Sequence, residues 1–522
     1  MVSDMHFDVI IIGTGAGGST LAHALAPSGK RILVLERGDF IPRERENWDT
    51  RAVFEEKRYL APETWYDDQD QPFSPYTHYC VGGNTKMYGA ALLRMRESDF
   101  GEVRHFGGVS PAWPISYAEL EPYYTQAEKL YCVHGERGVD PCDPPASEPY
   151  LHPPLAPEPR IKELFDDLTD LGCRPFPIPL GVRIADGDAP YHFSQFDGYP
   201  DLTETKADAH VSALRPALCS RNVSLLTGAY VERLNTDLAG TEVTEVIVRV
   251  KGERHAFRAD LVVVACGAIN SAALLLRSAN DAYPNGLANS SDQVGRSYMT
   301  HQNGCFVAVM QTPNDSQFQK HFGITDFYHG APGSPFPLGT IQLMGKPDPG
   351  TLEWLRGNHL PGVSLDDIAK RTIDFFLTAE DLPDPNNRIT LRGDGSIRVT
   401  YRRNNEEAYE RLHAKLETLL ARVEERRGRR RPEYLACRLG ISGVSHQNGT
   451  LRFGTDPRSS VLDVNCKAHD LDNLYIVDSS FFPSSSAVNP SLTIMANALR
   501  VGDHLLERLG ASTTCEREGV AA

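Results

Sequence analysis

Apolar and polar positions alternate in a readable way along most of the chain. Residues 7–12 form a short apolar run that ends at Gly13, and a helical pattern follows from Ser19 to Ala26. The stretch RILVLERG then gives a second apolar strand ending at Glu36, so the N-terminus predicts one βαβ unit. Residues 41–80 lack clean periodicity and predict a long excursion. In 113–131, Pro114 opens the segment, and Ser116 with Glu119 three residues later predicts a capped helix. The proline-rich stretch 141–160 predicts a surface connection. Residues 223–265 predict β structure, the last part a buried strand that runs into a helix at 270–278. Several short strands over 300–400 predict a separate sheet, and a polar helix is expected over roughly 405–427. Its terminal RRGRRR run predicts a solvated helix end rather than a binding patch. Residues 440–510 alternate strand and loop before a long closing helix, and neither repeats nor low-complexity segments interrupt the chain.

With 522 residues, two intertwined domains are expected. Hydrophobic residues at 41% and charged residues at 23% are ordinary for a globular protein with a large core. The formal net charge of −16 argues against a nucleic-acid partner and leans toward neutral or cationic substrates. No segment approaches the ~20 apolar residues that span a bilayer, and the opening lacks a secretory pattern, so no membrane partner and a cytoplasmic location are expected. The ten cysteines are scattered, without CxxC or a Cys/His cluster, and predict reduced thiols and no metal site.

The segment GTGAGG places Gly13, Gly15 and Gly18 in a G-x-G-x-x-G pattern between a strand and a helix, with Ala16 inside it. The first glycine makes the tight turn, the second lets backbone approach a pyrophosphate, and the third permits close helix–strand packing. Glu36, 18 residues after Gly18, stands where a carboxylate holds ribose hydroxyls. That carboxylate disfavours NADP, whose 2′-phosphate it would repel, while the motif alone leaves FAD and NAD both open.

Over nearly its whole length the chain resembles the glucose-methanol-choline (GMC) family of FAD-dependent oxidoreductases, most of all its pyranose oxidase and sugar dehydrogenase branch. The segments that carry the resemblance are GTGAGG and LERG, YCVGGNTKMYGAALLRM (79–95), WPISYAELEPYY, VVVACGAINSAALLLRS (262–278), GLANSSDQVGRSYMTH (286–301), EDLPDPNNRITL (380–391), SHQNGTLRFG (445–454), NLYIVDSSFFP (473–483) and AVNPSLTIMANALRVGDHL (487–505). The resemblance implies an α/β protein: a Rossmann-like FAD-binding domain with an interleaved α+β substrate domain built on an antiparallel sheet. Residues 1–299 and 436–522 would form the first and 300–435 most of the second. It implies that Arg37, Val231, Ala265, Gly267 and Asp478 contact FAD, with Val231 near the adenine, and that Gly82, Gly83, Asn84 and Thr85 lie along the flavin. Pyranose oxidases carry a histidine bonded covalently to the flavin where this chain has Met87, and His78 lies too far upstream, so non-covalent FAD is expected. The stretch 192–201 also lacks the clustered cysteines of some relatives.

The resemblance further makes His446, in H-x-x-G-T, the catalytic base, and Asn489 its partner. A histidine suits proton removal near neutral pH, whereas an asparagine can orient a substrate oxygen but cannot take the proton. His301 is expected to be structural. Asn489, Pro490 and Ser491 predict a helix that starts with Asn489 as its cap, runs to about Leu506 and directs its positive end at whatever lies before it, which the resemblance implies is the flavin pyrimidine. Substrate selection is assigned to 320–380, where aromatic, glycine and amide residues with Gln342 on a strand suit a sugar, glycoside or aminocyclitol. The expected partners are thus a small-molecule alcohol and oxygen or another electron acceptor. A simple non-sugar alcohol, a hydroxynitrile-lyase-like activity on the same fold and a silent FAD binder remain the alternatives, and the oligomeric state stays open.

Overall fold

A computed structural model describes residues 6–184, 195–346, 349–354 and 364–511. Parts of the sequence assignments fall outside them: 347–348 and 355–363 of the substrate-selecting stretch, the 192–194 start of the cysteine-free stretch, Cys515, and 1–5, 185–194 and 512–522 of the expected FAD-binding domain.

The N-terminal pattern folds as expected. Strand His6–Ile12, helix Ala16–Leu25 and strand Ile32–Leu35 form a βαβ unit with both strands parallel. Four of the strand's residues, Val9 to Ile12, are almost fully buried, which is why this run is continuously apolar. The parallel core continues outward to Val223–Leu226 on one side, and on the other to Glu253–Val264 and then Leu474–Ile476. Glu253–Val264 serves two partnerships. Its first half closes an antiparallel meander with Val243–Val250 and Ala229–Thr236, and its apolar second half lies in the parallel core. The helix that follows the glycine turn begins at Ala16, three residues before the expected start, because Gly15 itself occupies the cap position.

A second, antiparallel sheet runs in the order Glu433–Arg438, His301–Val309, Thr372–Glu380, Thr340–Leu343, Phe322–Ile324, Phe176–Pro177. One face buries Phe306, Phe375 and Leu377 against Leu412, Leu416 and Leu420 of helix Glu406–Arg426 and against Ile161, Leu164 and Leu168 of helix Pro159–Asp170. The helix read as polar therefore carries a leucine stripe at i, i+4 spacing, which its surrounding charges obscured. This layer also recruits 159–170 and 176–177, far upstream of residue 300. The basic run at the end of helix Glu406–Arg426 is partly paired rather than simply solvated: Arg427 Nε meets Asp167 at 2.8 Å, and Arg426 meets Asp170 at 3.2 Å. The capping box at Ser116 and Glu119 is present and starts helix Tyr117–Leu130. Helix Ala268–Arg277 follows the buried strand.

Candidate active site

The two layers enclose a cavity of about 760 Å³, within the size range of small-molecule sites. The glycine turn lines it from the parallel-sheet layer, and His446 lines it where it packs against Phe376 and His301 of the antiparallel sheet.

At the turn, Gly13 has φ +105°, a conformation that side chains resist. A Cβ at Gly18 would sit 2.1 Å from the Gly13 carbonyl oxygen, so the third glycine serves helix–strand packing. A Cβ at Gly15 would meet no protein atom within 4 Å and would stand in the space a ligand needs. Helix Ala16–Leu25 has neither a side-chain cap nor an acidic residue in its first turn, so its free N–H groups and positive end suit a pyrophosphate. Gly17 was not singled out from the sequence, yet it lines the cavity and its Cβ would fall 2.0 Å from the Val477 oxygen. The doubled glycine of GAGG was the available signal.

Glu36 lines the cavity at the end of its strand. It accepts from Thr14 N at 3.1 Å, Thr14 Oγ1 at 2.6 Å and Gly38 N at 2.9 Å. Burial raises its pKa, and these three donors oppose that rise. Arg37 pairs with Glu63 at 2.5 Å, and its guanidinium lies 3.6 Å from the Tyr79 ring centre and 4.6 Å from that of Tyr230. Arg37, both tyrosines and Val231 all line the cavity, a platform of stacked and apolar side chains. Ala265, Gly267 and Asp478 also line the cavity. The Asp478 carboxylate is already occupied, accepting from Gly267 N at 3.0 Å, Ser480 N at 2.9 Å and the Ser271 and Ser480 hydroxyls, so it fastens two loops together.

Gly83, Asn84 and Thr85 line the cavity within the turn Gly83–Lys86. Asn84 Oδ1 accepts from His78 N at 2.9 Å, and Thr85 Oγ1 donates to the Gly82 oxygen at 2.6 Å. Gly82 and Gly18, both expected at the cofactor, are not among the lining residues. Gly82 stands behind the wall because its φ of +98° turns the chain and its N–H is spent on Thr14 Oγ1 at 3.1 Å. Met87 lines the cavity, as does His78, which burial holds neutral with a pKa lowered to about 4.

Against the antiparallel sheet, His446 Nδ1 lies 2.8 Å from His301 Nδ1, and His301 Nε2 lies 3.1 Å from the Ser485 carbonyl oxygen. His301, expected to be structural, thus touches the candidate base directly. Burial lowers the pKa of both imidazoles, His446 far below its usual value with His301 and Lys320 adding to the effect. Two neutral imidazoles carry one N–H each. A carbonyl only accepts, so His301 must donate from Nε2 and accept at Nδ1. His446 then donates from Nδ1 and keeps its lone pair on Nε2. Asn303 Nδ2 lies 3.4 Å from His446 Nδ1, and its Oδ1 has no partner. Rotating the amide by 180° would let Oδ1 accept from the same N–H.

Gln342 Nε2 donates to Asn489 Oδ1 at 2.6 Å, and both residues line the cavity with Pro490 and Ser491. Asn489 does not cap the last helix. That helix is Ser491–Arg508, with Pro490 in the cap position and no side-chain cap. Bonding to Gln342 commits the Asn489 oxygen elsewhere, and the free helix end still faces the cavity.

Residues 7–303 and 383–498 match the N-terminal and C-terminal parts of the GMC oxidoreductase family. The chain belongs to that family. It is 31% identical to paromamine 6′-oxidase of Streptomyces fradiae, over 95% of this chain and 91% of that one. It is 32% identical to 6‴-hydroxyparomomycin C oxidase of Streptomyces lividus (98% and 93%) and 29% identical to 2-methyl-1,2-propanediol dehydrogenase of Mycolicibacterium austroafricanum (96% and 95%). Pyridoxine 4-oxidase from Mesorbium loti shares the fold at a TM-score of 0.68 with 19% identity, over 96% of this chain and 99% of that one. The protein is an FAD-dependent oxidoreductase acting on CH–OH groups.

Proposed function

We propose that the protein oxidises a polar alcohol, a sugar, glycoside or aminocyclitol, to a carbonyl, with His446 as the base. The observation that carries this reading is the chain from the Ser485 carbonyl through His301 to His446, which leaves a lone pair on His446 Nε2 in a residue that lines the cavity. FAD supplies the acceptor for the hydride that leaves the carbinol carbon. The hydroxyl proton goes to His446 Nε2. Asn489 and Gln342, joined to each other, orient the substrate oxygen beside it. The glycine turn, Glu36 and the Arg37–Val231 platform hold the dinucleotide, and the residues from Gly83 to Thr85 and from Asn489 to Ser491 flank its flavin part. Met87 offers no ring nitrogen for the histidine-type bond to the flavin, which supports FAD held non-covalently. The two Streptomyces relatives, named for aminoglycoside oxidation, support the polyol class. Scattered cysteines support a cytoplasmic location.

An anaerobic titration of the purified protein with sugars, aminoglycosides and simple alcohols tests the reading. Loss of the oxidised flavin band with a polyol is expected, and failure of every polyol to cause it would overturn the proposal. For His446→Ala, FAD should be retained while flavin reduction slows by on the order of 10²-fold or more, as for loss of a general base.

A further inference from the structure

Away from His446, the cavity wall carries a carboxyl that the proposed reaction does not use. Asp374 lies on strand Thr372–Glu380, two residues before Phe376, whose ring is 5.9 Å from that of His446. Alternate residues of a strand share a face and repeat every ~6.7 Å, so Asp374 stands one such step along the same wall, and it lines the same cavity. Its carboxylate is held deliberately on one side. Gln319 donates from Nε2 to Asp374 Oδ2 at 2.6 Å, and Asn314 orients Gln319 by donating to its Oε1 at 2.9 Å. Asn314 and Gln319 are both fully buried.

The other oxygen, Oδ1, has no hydrogen-bond partner, although Asp374 is only 3% exposed. The nearby cations do not supply one. Lys320 pairs with Asp197 at 2.6 Å, and Lys346 donates to the Asn314 and Ser316 carbonyls. Among the described residues no ion pair joins Lys346 to Asp374. Burial pushes the Asp374 carboxyl up to about 7, against the pull of Gln319, Thr372 and Lys346. A buried carboxylate oxygen without a donor is costly, so a proton, a water or a donor carried by a ligand must satisfy it. Gln342 repeats the pattern, since its Oε1 is a second buried acceptor on this wall without a partner. The unused hydrogen-bonding capacity of the wall is thus acceptor in character and includes one carboxylate.

We propose that Asp374 Oδ1 anchors a protonated amine of the substrate, which makes the alcohol an amino sugar or aminocyclitol. The inference rests on the reading that a polar alcohol reacts at His446. The hydroxyl to be oxidised lies at His446, and the ammonium group lies one strand step along the wall. A hydroxyl could also donate to Asp374, and N-acetylation separates the two sources because it removes the positive charge and keeps the hydroxyls.

The test is calorimetric binding of paromamine and its fully N-acetylated derivative to the FAD-loaded protein. The flavin is first reduced with dithionite under anaerobic conditions, so that no turnover occurs. The parent protein should bind paromamine at least about 10-fold tighter than the acetylated compound, and Asp374→Asn should bring that ratio close to one. Equal binding of the two, no binding of either, or an unchanged ratio in the variant would overturn the anchor. Should that variant fail to retain FAD, Asp374→Ser takes its place with the same expected loss of the preference. A clear amine preference in a protein whose oxidised flavin no polyol reduces would instead remove the proposed reaction and leave the amine site standing.

Discussion

His446 can act as a base only while its Nε2 is unprotonated, and its surroundings favour that state. Burial, then His301, then Lys320 push its pKa far below the usual histidine value of about 6.5. A base with a lowered pKa stays competent above that low value and is lost only as pH falls through it. At saturating substrate, where binding at Asp374 no longer limits, the acid limb of flavin reduction should therefore lie below pH ~6.5; a limb at or above that value would contradict the assignment. His301 sets which nitrogen carries the proton. Replacing it by leucine removes the nearer acceptor for His446 Nδ1–H and leaves only the more distant Asn303 amide, so kcat should fall at least about 10-fold with FAD retained and KM little changed, since a wrong tautomer disables a histidine base. His301→Gln retains a carbonyl acceptor and should recover part of the loss. Parental kcat in the leucine variant would leave His301 a structural residue after all. The candidate base and Glu36 were legible because short motifs surround them, whereas His301 meets His446 across 145 residues and no local pattern reports such a contact.

The glycine-rich turn shows how one short element divides its tasks. Gly15 faces open space, while a Cβ at Gly18 would strike the Gly13 carbonyl oxygen at 2.1 Å. Gly15→Ala should therefore fold with little loss of stability but bind FAD poorly, whereas Gly18→Ala should lose stability because backbone cannot retreat as a flexible side chain can. Comparison of soluble yield, FAD content and apo-protein melting for the two variants checks this, and equal behaviour would refute the division. The pattern identified this strand–turn–helix unit well because strand burial, turn chemistry and the helix start agree over about thirty residues. It misjudged the last helix by one position. The Asn-Pro pair reads locally as a cap and first residue, but a tertiary bond to Gln342 draws Asn489 out of that role. It also missed the apolar stripe of helix Glu406–Arg426, because charged residues dominate the sequence average while the leucines alone decide what packs.

At the scale of the whole molecule, the chain passes repeatedly between two layers, and the cavity lies where they meet. The second layer takes helix Pro159–Asp170 and strand Phe176–Pro177 from far upstream of its main body, a pairing that depends on long-range contact and leaves no periodic trace. The cavity is lined by segments as distant in sequence as Gly13 and Ser491, so the site they form exists only in the folded chain. A ligand that binds the folded and not the unfolded state stabilises by RT ln(1 + [L]/Kd), which is about 2.7 kcal/mol at one hundred times Kd. The Tm of the apo-protein should therefore rise by a few degrees on adding FAD and keep rising with the logarithm of its concentration. The same titration on Gly15→Ala should show the rise displaced to much higher FAD, while His446→Ala, whose change lies against the antiparallel sheet, should keep the parental response. A Tm indifferent to FAD in the parent protein would mean that the segments lining the cavity do not act together as one binding site.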